Sequence, residues 1–476
     1  MMFTRWRKAL SSLVAGLMLA AAVAAPTRAA DEAGWMFDPA VTVHINLEIP
    51  ETSMDQISCD MGAERPYVPA TFLMTYTSSR GVIKSYGPSA ITLKVKGQYG
   101  SFRCLPTGEK AGLKLKFPSG SRPDGLKKLT LNNMVQDPSM ISEALSYEVF
   151  RSLGIASPRT GYAKVTINGV YRGIYLNVET MDSIALPRWY STTQHLYEGS
   201  YGSWWGDVGD AYSGHYEVDE GDEDDRSDLQ ELLDTARNLT SGWSTRMFPI
   251  ADLEQMTKMW AAEWFLGHWD GYSQHLPNNY YLHADGTGRF TMLPWGTDQT
   301  FEWANRYEGT GDHAIFSGCV LDPICNGQYV DALQSIAGSW SRQGLKRRSQ
   351  ALYRSVIEES SGIAEVKSFI NARLAEHRAW IDTLPKAPRD FRISTSTARK
   401  GWFKITWSKP SSMVPITGFA LEYRLGAGPW RQVVLPATST SYTGSRLGAG
   451  TYTLRIRSIG DGVISPSVTK SPVRIP

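Results

Sequence analysis

Polar and apolar residues alternate strictly in three early segments, "VTVHINLEI" (41–49), "ITLKVKG" (91–97) and "GLKLKF" (112–117). A period of two predicts strands that bury one face. The pattern changes at "DPSMISEALSYEVFRSLG" (137–154), where it predicts a helix with Asp137 as N-cap, Pro138 at the first position and Gly154 as its stop. "GYAKVTINGVYRGIYLNVETMD" (161–182) then reads as a hairpin turning on Asn168–Gly169, a pair that favours a tight two-residue turn. Beyond Asp182 the periodicity predicts mainly helices, clearest in "LQELLDTARNL", "LEQMTKMWAAEWFLGHW" and "VKSFINARLAEHRAWIDTL". From about residue 387 short alternating strands return ("FKITWSKP", "ITGFALEYRL", "SYTGSRLGAGTYTLRIRSIGDGVISP"), separated by Gly, Pro and Ser turns as in a β-sandwich. "LPKAP" before them reads as a short linker. The expected architecture is α+β and two-lobed over residues 35–385, then all-β over 387–476, with no internal repeat evident.

A chain of 476 residues is too long for one ordinary domain. Its 42% apolar and 20% charged residues describe a globular protein. A net charge of +2 and the lack of a long basic stripe give no support to a nucleic-acid partner. The first 30 residues run from basic through apolar to small and polar, the layout of a secretory signal peptide cleaved near Ala29 or Ala30. The apolar run is shorter than the ~20 residues that a membrane span requires. No later segment is long and apolar enough to cross a bilayer, so none is expected after cleavage. In an exported protein the four cysteines favour disulfides. Cys319 and Cys325 form a natural local closure, which leaves Cys59 for Cys104, and no CxxC spacing supports a metal site instead.

Candidate chemistry concentrates in "GHWDGYSQHLPNNYYLH" (267–283). Asp270 falls at the C-terminal end of an apolar helix, where the helix dipole favours cations, so a carboxylate there needs another reason. A capping Asp in a turn is the plain alternative. "NNYYLH" and "DGTGRFTMLPW" then predict a hairpin, with Asn279 at its start and Asp298 beyond its end. A hairpin brings those ends together, so both oxygen-bearing side chains can face one hard cation such as Mg²⁺. Acid, amide and acid in this order is the arrangement of protein kinases.

Residues 40–380 resemble the spore coat protein H (CotH) kinases, secreted atypical protein kinases. The resemblance rests on "ITLKVKG" with "KAGLKLKF", on "LTLNNMVQDPSMISEALSYEVFRSLGIASPRTGYAKVTINGVYRGIYLNVETMD", and on "NNYYLHADGTGRFTMLPWGTDQTF". The C-terminal run similarly resembles a fibronectin type III module, with Trp407 and Tyr452 at its buried-Trp and corner-Tyr positions. The family resemblance implies a kinase-like fold, ATP with Mg²⁺ or Mn²⁺ as cofactors, and phosphoryl transfer to Ser or Thr of an extracytoplasmic protein. It implies a bacterial secreted, periplasmic or cell-surface setting, with the fibronectin module contacting a surface polysaccharide or protein. Asp270 is then the catalytic acid that orients or deprotonates the hydroxyl. Asn279 (or Asn278) and Asp298 become metal ligands. Glu143 pairs with a phosphate-gripping lysine, for which Lys114, Lys116 and Lys110 all remain open, with Lys114 favoured. Glu179 falls at the adenine-contacting hinge.

The match has departures. Relatives show two acids after the Trp, whereas "WGTD" has Gly296 at the first, which puts activity in doubt and keeps a catalytically weak surface-binding protein or adhesin as the alternative. "GYSQHLPN" also lengthens the loop between Asp270 and Asn279. "KGQYGSF" lacks GxGxxG spacing and is a nucleotide cover only in this family context. The acidic "VDEGDEDDRSDLQELL" misses the EF-hand spacing and reads as a solvated helix entry. "RWYSTTQHLYEGSYGSWWGD" is either an aromatic binding platform or lobe filler. A polysaccharide-cleaving pair of Asp270 and Asp298 fits the intervening hairpin less well.

Overall fold

The computed structural model describes residues 33–39, 41–77, 81, 83–199, 210–274, 277–302 and 313–476. The expected signal peptide lies outside these residues, as do residues 200–207 of the aromatic stretch 188–207. Among the described residues no helix is long and apolar enough to cross a membrane.

The alternating segments become the walls of a closed barrel. Its strands are β1 (Thr42–Glu48), β2 (Val68–Thr77), β3 (Ile83–Lys96), β4 (Gly112–Lys116), β5 (Lys128–Asn132), β6 (Thr160–Ile167) and β7 (Val170–Glu179), in the order β1-β2-β3-β4-β5-β7-β6. Parallel pairing of β1 with β6, Val43 opposite Ala163, closes it. Every second residue points inward: Val43, Ile45 and Leu47 meet Phe72, Leu93, Leu115, Leu131 and Val165 in one apolar core. A helical turn α1 (Glu51–Met54) follows β1. Asn168 and Gly169, at φ 49° and 75°, make the expected turn between β6 and β7. The Asn168 amide also bonds the backbone of Ile49, tying the hairpin to β1.

The predicted first helix is α2 (Ser142–Ser152), which starts later than the sequence pattern indicates. Asp137 caps it from a distance, its carboxylate accepting the N–H groups of Ser139 (3.0 Å) and Ser142 (2.8 Å). Met140 at φ 58° makes the intervening residues a turn rather than helix. Gly154 at φ 76° ends the element as expected.

Beyond Asp182 the chain is mainly helical, as its periodicity predicts, with two strands besides the expected hairpin. A second, antiparallel sheet holds β8 (His195–Gly199), β9 (Tyr216–Glu220), β10 (Tyr280–Ala284) and β11 (Phe290–Pro294), ordered β11-β10-β8-β9. β8 and β9 are short, and β8 pairs with distant β10 (Tyr197 opposite Leu282), so no local turn signals them. Helices α3 (Ser227–Arg237), α4 (Trp243–Met247), α5 (Leu253–Leu266), α6 (Ala314–Leu321), α7 (Pro323–Trp340), α8 (Leu345–Val356) and α9 (Ala364–Ile381) pack with this sheet around a large apolar core. The disulfides are Cys59–Cys104 and Cys319–Cys325, as expected.

The C-terminal strands β12 (Arg389–Thr395), β13 (Phe403–Ser408), β14 (Gly418–Leu425), β15 (Arg431–Pro436), β16 (Ser441–Gly444), β17 (Gly450–Ile459) and β18 (Val468–Ile475) form two facing sheets, β12-β13-β16 and β15-β14-β17-β18. Trp407 is buried between them, and the Tyr452 hydroxyl donates to Gly448 O at 3.0 Å, the layout that a fibronectin type III resemblance implies. The sandwich is docked, not tethered. Arg457 of β17, fully buried, binds Glu422 of β14 (3.2 Å) and Asp331 of α7 (2.9 Å). Gly327 of α7 makes room for it: a Cβ there would lie 2.7 Å from the guanidinium carbon. The proposed linker is pinned too, with Leu384 buried beside Val330 and Ile464.

Candidate functional site

A cleft of about 820 Å³ opens between two walls. One is the β3–β4 edge of the barrel with the Gly97–Ser101 loop. The other is formed by the Asp270 loop, the ends of the β10–β11 hairpin and β8. Asp270, Asn278, Asn279 and Asp298 all line it.

Local sequence explains how they arrive there. Gly267, at φ 67°, ends α5 and turns the chain so that Asp270 emerges three residues later, only 6% exposed. Pairing of Tyr280 with Pro294 brings the two ends of the hairpin together. The Trp295 N–H donates to Asn279 O at 2.9 Å. Asn279 Nδ2 donates to Asp270 Oδ2 at 2.8 Å, so the amide joins the two loops. Gly296 sits directly against Asn279, where a Cβ would overlap the amide oxygen.

The carboxylates here are crowded. Burial, reinforced by the charges of Glu143 and Asp270, pushes the pKa of Asp298 up, and Lys96 opposes that rise. Burial likewise raises Glu143, against the pull of Lys96 and the 2.6 Å hydrogen bond from Asn132 Nδ2. Hard oxygen donors that repel one another are a donor set suited to Mg²⁺ or Mn²⁺. No ready group of three or more His, Cys, Asp or Glu able to hold a metal occurs among the described residues. Mg²⁺ characteristically takes only one or two protein oxygens and completes its shell with water and phosphate.

The lysines are arranged differently from the expectation. Lys96, the last residue of β3, lines the cleft and lies 5.3 Å from the Trp295 ring centre, and its charge acts on both Glu143 and Asp298. Lys114 lines the cleft but is held by Asp219 at 3.7 Å; burial works against its charge, and Asp219 with Glu198 outweighs that and raises its pKa. Lys116 is exposed beside the Tyr67 ring, and Lys110 pairs with Glu359, both away from the cleft lining. Glu179 is also away from it, buried between Arg159 (2.7 Å) and Arg188 (2.5 Å). Glu143 stands in the first turn of α2, behind Asn132 of the cleft wall.

Sequence reasoning therefore passed over Lys96, Asn132 and Glu198. The one local cue to Lys96 is its place immediately before the Gly97 turn. Glu198 is pushed up to about 7 by burial, with Lys114 opposing and Asp219 and Glu217 adding to the rise. An unfolded chain would release that proton near 4.5, so the folded state binds more protons between about 4.5 and about 7. Stability from this group consequently falls as pH rises through that window. Glu198→Gln, neutral throughout, is expected to gain stability relative to the parent on going from pH 5 to pH 8, read from denaturant midpoints.

Inner spore coat protein H of Bacillus subtilis (strain 168) is 25% identical over 187 residues, 37% of this chain and 51% of that relative. An inner spore coat protein H-like protein of the same organism is 40% identical over 55 residues, 12% of this chain and 18% of the relative. The chain thus spans about half the length of the first and less than a fifth of the second. Among solved structures, the fn3 domain of the human collagen alpha-1(XX) chain is 19% identical, covering 20% of this chain and 90% of its own, with a TM-score of 0.18. Chicken CNTN1 FN1-FN3 domains are 12% identical, covering 19% and 30%, with a TM-score of 0.17. Residues 93–378, more than half of the 476, match the family described as CotH kinase protein, and the chain belongs to that family.

Proposed function

We propose that the chain is an exported, ATP- and metal-dependent protein kinase that phosphorylates Ser or Thr of an extracytoplasmic protein. The observation that carries this reading is the convergence of Asp270, Asn279, Asp298 and Lys96 on one cleft. Membership of the CotH kinase family supports it, and two disulfides fit a setting outside the cytoplasm. The barrel and the helical half then serve as the two lobes of a kinase-like fold.

In this reading the ATP phosphates lie against Lys96 beneath the Gly97–Ser101 loop, so Lys96 takes the part expected of Lys114 or Lys116. Asn279 and Asp298 would hold Mg²⁺ or Mn²⁺, which when bound supplies neutralisation of the phosphate charge. Asp270 orients the acceptor hydroxyl and takes its proton. The new O–P bond forms as the bond from the γ-phosphorus to its bridging oxygen breaks, and ADP leaves. The fibronectin-like sandwich offers a contact for a surface protein or polysaccharide.

The test is label transfer from γ-labelled ATP with Mg²⁺ or Mn²⁺ by the purified chain, beside Asp298→Ala and Lys96→Ala. Incorporation that both substitutions remove is the expected result. No incorporation, together with no metal-dependent nucleotide binding by calorimetry, would sink the reading in favour of a binding scaffold.

Gly296 motivates that second reading of a catalytically weak surface-binding protein. The geometry opposes simple restoration of the missing acid. A side chain at φ 48° would collide with Asn279 and drive its amide away from Asp270. Gly296→Asp is expected to lower label transfer about tenfold or more, because a displaced reacting group is costly. A gain in transfer would instead mark the missing acid as what limits this protein.

A further inference from the structure

We propose that His268 is a positioning residue that, backed by Glu263, fixes the carboxylate of Asp270 from beneath the cleft. The proposal rests on the reading of Asp270 as the carboxylate that meets the acceptor hydroxyl.

The chain spends buried charge to build this support. His268 and Glu263 are both 0% exposed. His268 Nε2 lies 3.3 Å from Asp270 Oδ1, and its Nδ1 lies 4.0 Å from Glu263 Oε1. Burial disfavours an imidazolium, yet the carboxylates of Asp270 and Glu263 outweigh it and raise the pKa of His268. Glu263 is in turn held by the loop that carries Asp270. Its carboxylate accepts the Tyr272 N–H (3.1 Å), the Ser273 N–H (2.9 Å) and the Ser273 hydroxyl (2.5 Å). Gly271 lets these groups close up, since a Cβ there would stand 2.6 Å from His268 Nδ1 and 2.7 Å from Glu263 Oε1.

The arrangement also answers why an acid sits at the wrong end of a helix. The C-terminal end of α5 repels a carboxylate, and His268 stands beside Asp270 Oδ1 at that end. Asp270 is then flanked on both oxygens, Oδ1 by His268 Nε2 at 3.3 Å and Oδ2 by the hydrogen bond from Asn279. One contact comes from the core and the other from the cleft, so the acceptor-facing orientation is set before any substrate enters.

Two measurements on the full chain test this. The first compares kcat and the ATP KM in His268→Ala and His268→Gln, the latter able to place a donor near the old Nε2. His268→Ala is expected to lose about 10²-fold in kcat with KM nearly unchanged, and His268→Gln to recover most of it. Unchanged kcat in His268→Ala, or equal losses in both variants together with a fall in melting temperature, overturns the proposal. The second needs no activity: the ¹⁵N-labelled histidine ring of His268, assigned through His268→Gln, is followed in the parent and in Asp270→Asn. A ring signal that shifts in Asp270→Asn is expected, and an insensitive one overturns the proposal. A responsive ring in a chain that transfers no phosphate would refute the kinase reading while the His268–Asp270 support stands.

Discussion

Exchanging Asp270 for asparagine is expected to lower kcat for phosphoryl transfer by about 10²- to 10⁴-fold, the range that a positioned general base supplies. Asparagine preserves the shape of the residue. Its oxygen can still accept from His268 or Asn279, the two groups that flank Asp270 now. What it lacks is a basic oxygen for the acceptor proton. Nucleotide affinity, which depends on Lys96 and the metal-facing oxygens in this reading, should change little. Steady-state kinetics with labelled ATP, paired with calorimetric nucleotide titration, separate the two quantities. Turnover within about threefold of the parent would exclude Asp270 as the proton acceptor, because an interaction made only in the transition state must appear in kcat.

Arg457→Leu is expected to remove about 3–5 kcal/mol of stability, the cost of breaking a buried ion pair by deleting one partner. The residue is wholly enclosed. Glu422, equally buried, faces both Arg457 and Arg455, while Asp331 reaches across from α7 to the same two guanidinium groups. Leucine fills much of the volume but leaves these carboxylates short of a cation. By contrast, Lys386→Ala breaks the exposed Lys386–Asp382 pair and should move stability by about 0–1 kcal/mol. Urea midpoints of the two variants check the contrast. Equal small effects would mean that the buried Arg457 pairing adds no net stability.

How far the sequence discloses these features depends on the range of the interactions. β1, β4 and the end of β3 are legible because Val43, Leu93 and Leu115 repeat at a period that local inspection detects, whereas β2 and β5 are not among the strands that the pattern predicts. The hairpin that unites Asn279 with Asp298 is legible for the same reason: its turn and both strands are contiguous. β8 and β9 are not, since both are short and β8 pairs with distant β10. The start of α2 is misplaced because Asp137 and Pro138 are good starting residues, yet the left-handed Met140 delays the helix. Lys96 and Lys114 are alike as sequence, each on a strand with a second lysine two residues away. The strand register that sets Lys96 opposite Gly112, and the Asp219 carboxylate that holds Lys114, distinguish them. Glu179 looked available at a strand end, but two arginines from separate parts of the chain enclose it.

The docking of the sandwich bears on how this protein can be taken apart and recombined. Arg424 of β14 grips Glu254 at the first turn of α5, and the candidate carboxylate leaves the opposite end of that helix. At 14 residues, α5 is a strut about 21 Å long between the two. A recombinant chimera joined near residue 387 would therefore inherit an unmatched socket on α5 and α7. Exchanging the sandwich means transplanting Glu422, Arg424, Arg455 and Arg457 with it, so the unit of modular inheritance is the sandwich together with its seat.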